Sequence, residues 1–313
     1  MQALLAEIRH RMARRCSKMN EPLFRGAATA VVTPFCENRI DMAAFDRILE
    51  LQLSAKIDAV VVCGTSGEAS TLTVEEKMAL WQRAANYLGG RAKLVAGIGT
   101  NDTRTSVALA RLAKESGADG LLAVTPYYNK CSQEGLARHY ETIAEATDLP
   151  LITYNVPSRT GVDLKPETCA RLMHHGRING VKEASGSITR MAKLRSLCGA
   201  SFAVWSGNDD QIVAMMALGA SGVISVLSNI RPRAVKAMTD ACLCGDFHAA
   251  SKLQIDYLPL IEALFSDVNP IPVKAAMAAL GICREEVRLP LCPISEEVRT
   301  RLHAALLTCP ELS

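Results

Sequence analysis

The residue that most constrains what this chain can do is Lys182. It ends a short apolar run, Gly180-Val181, and is followed by Glu183-Ala184-Ser185-Gly186. Taking an ammonium out of water disfavours its charged form, lowers its pKa and frees an amine able to condense with a ketone as a Schiff base. The plain alternative is a lysine that lays its stem along a strand end and keeps its charge in water. A second apolar run ends in Tyr154 and continues as Asn155-Val156-Pro157-Ser158-Arg159-Thr160-Gly161. It offers a phenol and a guanidinium fork suited to a carboxylate; a turn with a surface arginine is the competing reading. Gly64-Thr65-Ser66-Gly67-Glu68 sets adjacent hydroxyls in a Gly-flanked turn before a helix. Such a turn can hold a small carboxylate or phosphate, or can simply cap the helix. Thr125-Pro126-Tyr127-Tyr128-Asn129 places two of the six tyrosines side by side, one to pack and one to project into a site or across an interface. An amine, phenols, hydroxyls and an arginine on one rim would make an imine-forming site.

For these groups to meet, their runs must end on the same side of one sheet. Short runs rich in β-branched residues recur at 28–32, 59–62, 94–97, 120–124, 151–154, 180–182, 202–205 and 222–226, each followed by an amphipathic stretch. That spacing is one βα unit. Most runs are continuously apolar and do not alternate, as expected of parallel strands covered on both faces. Helix starts are marked by Asp41, by Thr73 with Glu76 as a capping box, by Asp102 or Thr103, and by Ser132. The turns Gly117-Ala118-Asp119-Gly120 and Gly219-Ala220-Ser221-Gly222 echo one another, each with glycine where a helix ends. About eight such units, without the GxGxxG of an open dinucleotide-binding sheet, predict an α/β fold: a closed (β/α)8 barrel over residues 24–245. Reacting groups then sit at the C-terminal ends of its strands. Residues 246–313 carry three more amphipathic segments and read as a helical C-terminal appendage; residues 1–23 read as a basic extension.

Composition excludes several classes. Aromatics number 14 of 313, too few for base-stacking platforms, and five basic residues against one acid in the first twenty residues account for the net charge of +3. The remaining chain is close to neutral, so nucleic acid is not an expected partner. The uncharged run 211–230 is broken by Gly219, Ser221 and Gly222 and reads as helix, turn and buried strand, not a membrane span. Eleven cysteines without a CxxC pair read as reduced thiols of a cytoplasmic protein, and no His/carboxylate spacing indicates a metal. Residues 1–20 lack a signal-peptide core. They read as a solvated extension, with a start at Met19 or a weak likeness to a transit peptide as alternatives.

From residue 24 to about 307 the chain resembles the dihydrodipicolinate synthase family, within the superfamily of pyruvate-dependent aldolases and N-acetylneuraminate lyase. The resemblance runs through the three motifs above at 64–68, 125–129 and 154–161, through Lys182-Glu183-Ala184 and through Asn269-Pro270-Ile271-Pro272-Val273-Lys274. It implies a lyase that joins pyruvate to aspartate semialdehyde in lysine biosynthesis, without metal or cofactor. By the same resemblance Lys182 would carry the pyruvate imine, and Tyr154, Thr65 and Tyr128 would relay protons. Tyr128 would reach in from a neighbouring subunit, which implies a dimer at least and commonly a homotetramer. Thr65 and Ser66 would hold the pyruvate carboxylate, Arg159 the carboxylate of the aldehyde, and Gly207 and Ile224 would line the pyruvate pocket.

The chain departs from the pattern in places. Ser66 stands where the family usually has threonine, which keeps the hydroxyl. Members inhibited by lysine often carry histidine at the positions of Val74 and Lys77 and glutamate at that of Thr105, whereas Asn101 and Tyr127 are kept. A like charge at Lys77 leads us to expect weak or absent lysine inhibition. Two competing readings remain: a catabolic 2-keto acid aldolase with another aldehyde, against which Arg159 argues, and a non-catalytic pyruvate-binding barrel.

Overall fold

Eight short strands close on themselves because each is apolar on both faces. They are β1 (Gly26–Ala30), β2 (Ala59–Val62), β3 (Lys93–Gly97), β4 (Gly120–Val124), β5 (Leu151–Asn155), β6 (Ile178–Glu183), β7 (Ala203–Ser206) and β8 (Gly222–Ser225). Neighbours in sequence are neighbours in the sheet, every pair is parallel, and β8 returns to β1 with Gly26 opposite Gly222. The computed structural model describes residues 21–310, so the expectations for residues 1–20 lie outside the described residues.

Alternation along the strands sorts two cores. Ala28, Val61, Val95, Leu122, Ile152 and Trp205 fill the lumen, and Phe24 stacks on Trp205 with ring centroids 4.9 Å apart. The residues between them, such as Ala27, Val60, Ala96, Val181 and Val204, face the helices. Apolar residues at both phases are why the sequence shows continuous runs.

The outer layer comprises α1 (Met42–Ser54), α2 (Val74–Leu88), α3 (Thr103–Glu115), α4 (Gln133–Glu145), α5 (Pro166–Leu172), α6 (Ile188–Cys198), α7 (Ile212–Ala217) and α8 (Pro232–Leu243). Asp41, Asp102 and Ser132 cap their helices by accepting a backbone N–H, and Thr73 forms the full capping box with Glu76. The two echoing turns share one backbone conformation, with φ of 88° at Gly117 and 91° at Gly219, a region that disfavours any side chain. The uncharged run resolves into α7, turn and β8. Among the described residues no helix is long and apolar enough to cross a membrane.

Strand bounds shift at two places. β1 lies two residues earlier than its apolar run, because Gly26 and Ala27 pair with β8, while past Ala30 only the Val31 N–H still reaches β2, at the Val61 carbonyl, and the Val32 N–H turns to the Asn229 side chain. β6 extends on both sides of Gly180–Lys182, since pairing with β5 reaches Glu183. A two-residue hairpin, Phe35–Cys36 with Arg39–Ile40, was not expected; its strands are too short for periodicity to reveal. Beyond α8 come α9 (Phe247–Leu264), α10 (Ile271–Ala279) and α11 (Glu296–Thr308). Lys274 of α10, fully buried, forms an ion pair of 2.7 Å with Glu68 from the loop after β2, docking the C-terminal helices on the barrel mouth.

Candidate active site

Tyr154 and Lys182 occupy paired positions on β5 and β6, and the strand alternation turns both into the lumen at its C-terminal end. The Lys182 ammonium lies 4.4 Å from the Tyr154 ring centroid, and the lysine is 5% exposed. That burial, with a smaller push from the positive Arg159, pulls its pKa down to about 8; the buried carboxylate of Asp209 works against the shift. The reading in which Lys182 keeps its charge in water therefore fails. Gly207 makes room beside it: a Cβ there would sit 2.6 Å from the Ala184 Cβ and 3.1 Å from the Lys182 Cε. Burial also raises the Tyr154 phenol, opposed by the Arg159 charge and by a hydrogen bond with the Thr65 hydroxyl.

The turn after β2 does not cap α2; Thr73 does that. Instead Thr65 and Ser66 face the lumen mouth. The turn is pinned from several sides. Thr33 Oγ1 donates to the Gly67 carbonyl at 2.7 Å, and Glu68, in the left-handed region at φ 52°, carries its carboxylate inward. Its Oε1 meets Lys274, and its Oε2 accepts from the Arg288 backbone N–H at 3.0 Å. Asn269, just before α10, donates from Nδ2 to Ser66 Oγ at 2.9 Å. Its backbone carbonyl accepts from Arg159 Nη2 at 3.4 Å, so one residue touches both the hydroxyl turn and the arginine. Asp209, buried just after β7, accepts from the backbone N–H groups of Val226 and Leu227, both at 2.9 Å.

A cavity of about 190 Å³ results, lined by Thr65, Ser66, Tyr154, Arg159, Lys182 and Gly207 together with Asn208, Val226 and Asn269. Two residues named from the sequence are elsewhere. Ile224 is fully buried in the lumen cluster below the cavity, and Val226, two positions on, takes the lining place. Ile224 and Val226 share one strand phase, but β8 ends at Ser225, so only the residue beyond the ladder reaches the mouth. Tyr128 is 89% exposed, with φ 72°, and does not line this cavity. Asn269, Asp209, Glu68 and Lys274 were not assigned roles from sequence. The motif Asn269–Lys274 was visible, but nothing local says that it folds back 200 residues to meet Ser66 and Glu68. A second cavity of about 370 Å³ adjoins the first and shares Thr65, Tyr154 and Arg159 with it. Lys77 and Tyr127 line it, whereas Val74, Asn101 and Thr105 do not.

Fold and mouth chemistry together define a barrel built around a desolvated lysine amine. Comparison with known proteins is more specific. The profile of the Dihydrodipicolinate synthetase family matches residues 23–308, and the chain belongs to that family. It is 47% identical over 284 residues to the 4-hydroxy-tetrahydrodipicolinate synthase of Geobacter sulfurreducens, covering 91% of this chain and 98% of that one. Among solved structures it superposes on dihydrodipicolinate synthase from Aquifex aeolicus with a TM-score of 0.89 at 42% identity, covering 91% of this chain and 97% of that one. It superposes equally on the chloride-inhibited enzyme from Acinetobacter baumannii complexed with pyruvate, TM-score 0.90 at 40% identity, covering 91% of this chain and 98% of that one.

Proposed function

We propose that this chain condenses pyruvate with L-aspartate 4-semialdehyde to give 4-hydroxy-tetrahydrodipicolinate, the committed chemistry of diaminopimelate and lysine biosynthesis. The observation that carries the reading is a buried amine with its pKa near 8 against a phenol, in a cavity that Arg159 overlooks. The neutral Lys182 amine attacks the keto carbon of pyruvate, and the carbinolamine loses water to leave a protonated imine. That cation is the electron sink: a methyl proton leaves, and the enamine carbon attacks the aldehyde carbon, whose oxygen takes up a proton. The amine of the second substrate then attacks the imine carbon and closes the ring, and the Lys182 amine departs. Thr65 and Tyr154, hydrogen-bonded to one another, pass these protons. Thr65 and Ser66 hold the pyruvate carboxylate, and Gly207 leaves room beside the imine. Arg159 takes the carboxylate of the aldehyde in a bidentate fork.

The exposed Tyr128 has no work in its own cavity, and its place in the relay requires a neighbouring copy to receive it. Its left-handed backbone, uncommon for a bulky residue, fits a side chain held out for a purpose. A homotetramer assembled from such pairs, acting in the cytoplasm, completes the reading. The test is a coupled assay of the purified chain with both substrates, following the cyclic product through its reductase. Turnover is expected. A folded protein that still traps pyruvate under borohydride but does not turn over would transfer the proposal to another aldehyde.

A further inference from the structure

Charge buried in this chain is paired, with one exception. Among the described residues the buried lysines and carboxylates are Glu68, Lys182, Glu183, Asp209 and Lys274. Glu68 meets Lys274 at 2.7 Å, and Glu183 meets Arg190 at 2.9 Å. Lys182 and Asp209 are left over, both buried and neither in an ion pair among the described residues. The strand ends bring these two to one place. Lys182 pairs with Trp205 across β6 and β7, and the chain then runs through Gly207, set against the Lys182 stem, and Asn208, which lines the reaction cavity. Asp209 follows directly and does not itself line the cavity.

Asp209 is held where it stands. Its carbonyl accepts from Gln254 Nε2 at 2.9 Å, and its Oδ2 takes both backbone N–H groups, of Val226 and Leu227, from the chain leaving β8. Its Oδ1 has no partner in hydrogen-bonding geometry among the described residues, although the Ser225 hydroxyl acts on the carboxylate. Desolvation raises the Asp209 pKa, and these donors, with the Lys182 charge, favour its ionised form.

We propose that Asp209 is the fixed counter-charge of the reaction cavity, stabilising through space the cation that forms on the Lys182 nitrogen when pyruvate condenses there. The inference rests on the imine chemistry proposed above. Burial makes the lysine a better nucleophile but makes the same spot a poor one for the protonated imine. An anion close by offsets that cost, and one that forms no hydrogen bond to Lys182 leaves the imine its proton. Asp209 is thus a positioning residue: it acts on the reaction through Lys182.

Asp209→Asn keeps an oxygen for both backbone donors and removes the charge. Without the anion the ammonium is less favoured, so the midpoint of borohydride trapping of pyruvate, about 8 in the unaltered chain, should fall by roughly one pH unit. Above that midpoint the amine is neutral in both proteins, yet kcat should be at least ~10-fold lower in the variant, because the imine cation has lost its partner. Asp209→Glu keeps the charge and should keep the midpoint. Thermal melts check folding, and if Asp209→Asn does not fold, the smaller neutral Asp209→Ser carries the same expectation. A folded neutral variant with an unmoved midpoint would overturn the proposal even if kcat fell, since a merely structural loss lowers the rate without shifting the profile. No trapping in the unaltered chain would overturn the imine reading itself, and this inference with it.

Discussion

The two halves of the reaction cavity are built on different principles. Lys182 and Tyr154 stand on adjacent strands, and their separation is set by the register of a parallel ladder buried on both faces. Thr65 and Ser66 stand on an irregular turn, whose shape depends on a residue from the far end of the chain and on a buried ion pair. Groups that make and break bonds tolerate little displacement, and a sheet supplies that rigidity without extra bracing. A turn that cradles a small anion needs free backbone and side-chain donors, so it cannot spend them on a ladder; tertiary contacts must hold it instead. The cost is dependence on partners about 200 residues away in sequence.

That contrast can be attacked from either side. The largest effect should come from the strand half. Lys182→Ala should abolish the borohydride-trapped pyruvate adduct and lower turnover by at least ~10⁴-fold; an adduct of unchanged mass would remove Lys182 from the mechanism. In the unaltered chain the unprotonated amine is the nucleophile, so trapping should rise with pH and level off above about 8. A profile still climbing toward the ordinary lysine range would mean that the amine is not desolvated in solution.

Tyr154→Phe keeps the ring against Lys182 and removes only the phenol. Turnover should fall by roughly 10²–10⁴-fold with the melting temperature nearly unchanged. A loss smaller than ~10-fold would assign the proton transfers to other groups.

The loop half should fail by stability first. Lys274→Met leaves Glu68 buried without its partner and should destabilise the fold by ~3–5 kcal/mol in denaturant titration. Adding Glu68→Gln to that variant should recover a substantial part, since no uncompensated charge then remains. Additive losses in the double variant would show that the two residues do not act as a pair.

The smallest effect expected is that of Asn269→Ala, which frees Ser66 Oγ from its amide donor. The KM for pyruvate should rise by ~5- to 10-fold, with kcat changed less. An unaltered KM would make the C-terminal contact to the turn incidental, and the contrast between the two halves would lose its point.

Much of this molecule is written in local pattern. Eight apolar runs, their caps and the paired glycine turns determine a barrel, because a strand apolar at both phases must be covered on both faces. Alternation alone then turns Tyr154 and Lys182 into the lumen, since the period of two belongs to the strand and not to its surroundings. What the tertiary structure decided is where strands stop and what comes back to meet them. Val226 reaches the cavity and Ile224 does not because β8 leaves its ladder at Ser225. Asn269, Lys274 and Arg288 brace the hydroxyl turn only because the helices beyond the barrel dock on its mouth. The exposed Tyr128 and the half-buried Lys77 likewise take their meaning from the surfaces around them. Strand and helix periodicity are properties of neighbouring residues, whereas burial, pKa and cavity walls are set by residues that are neighbours only in space.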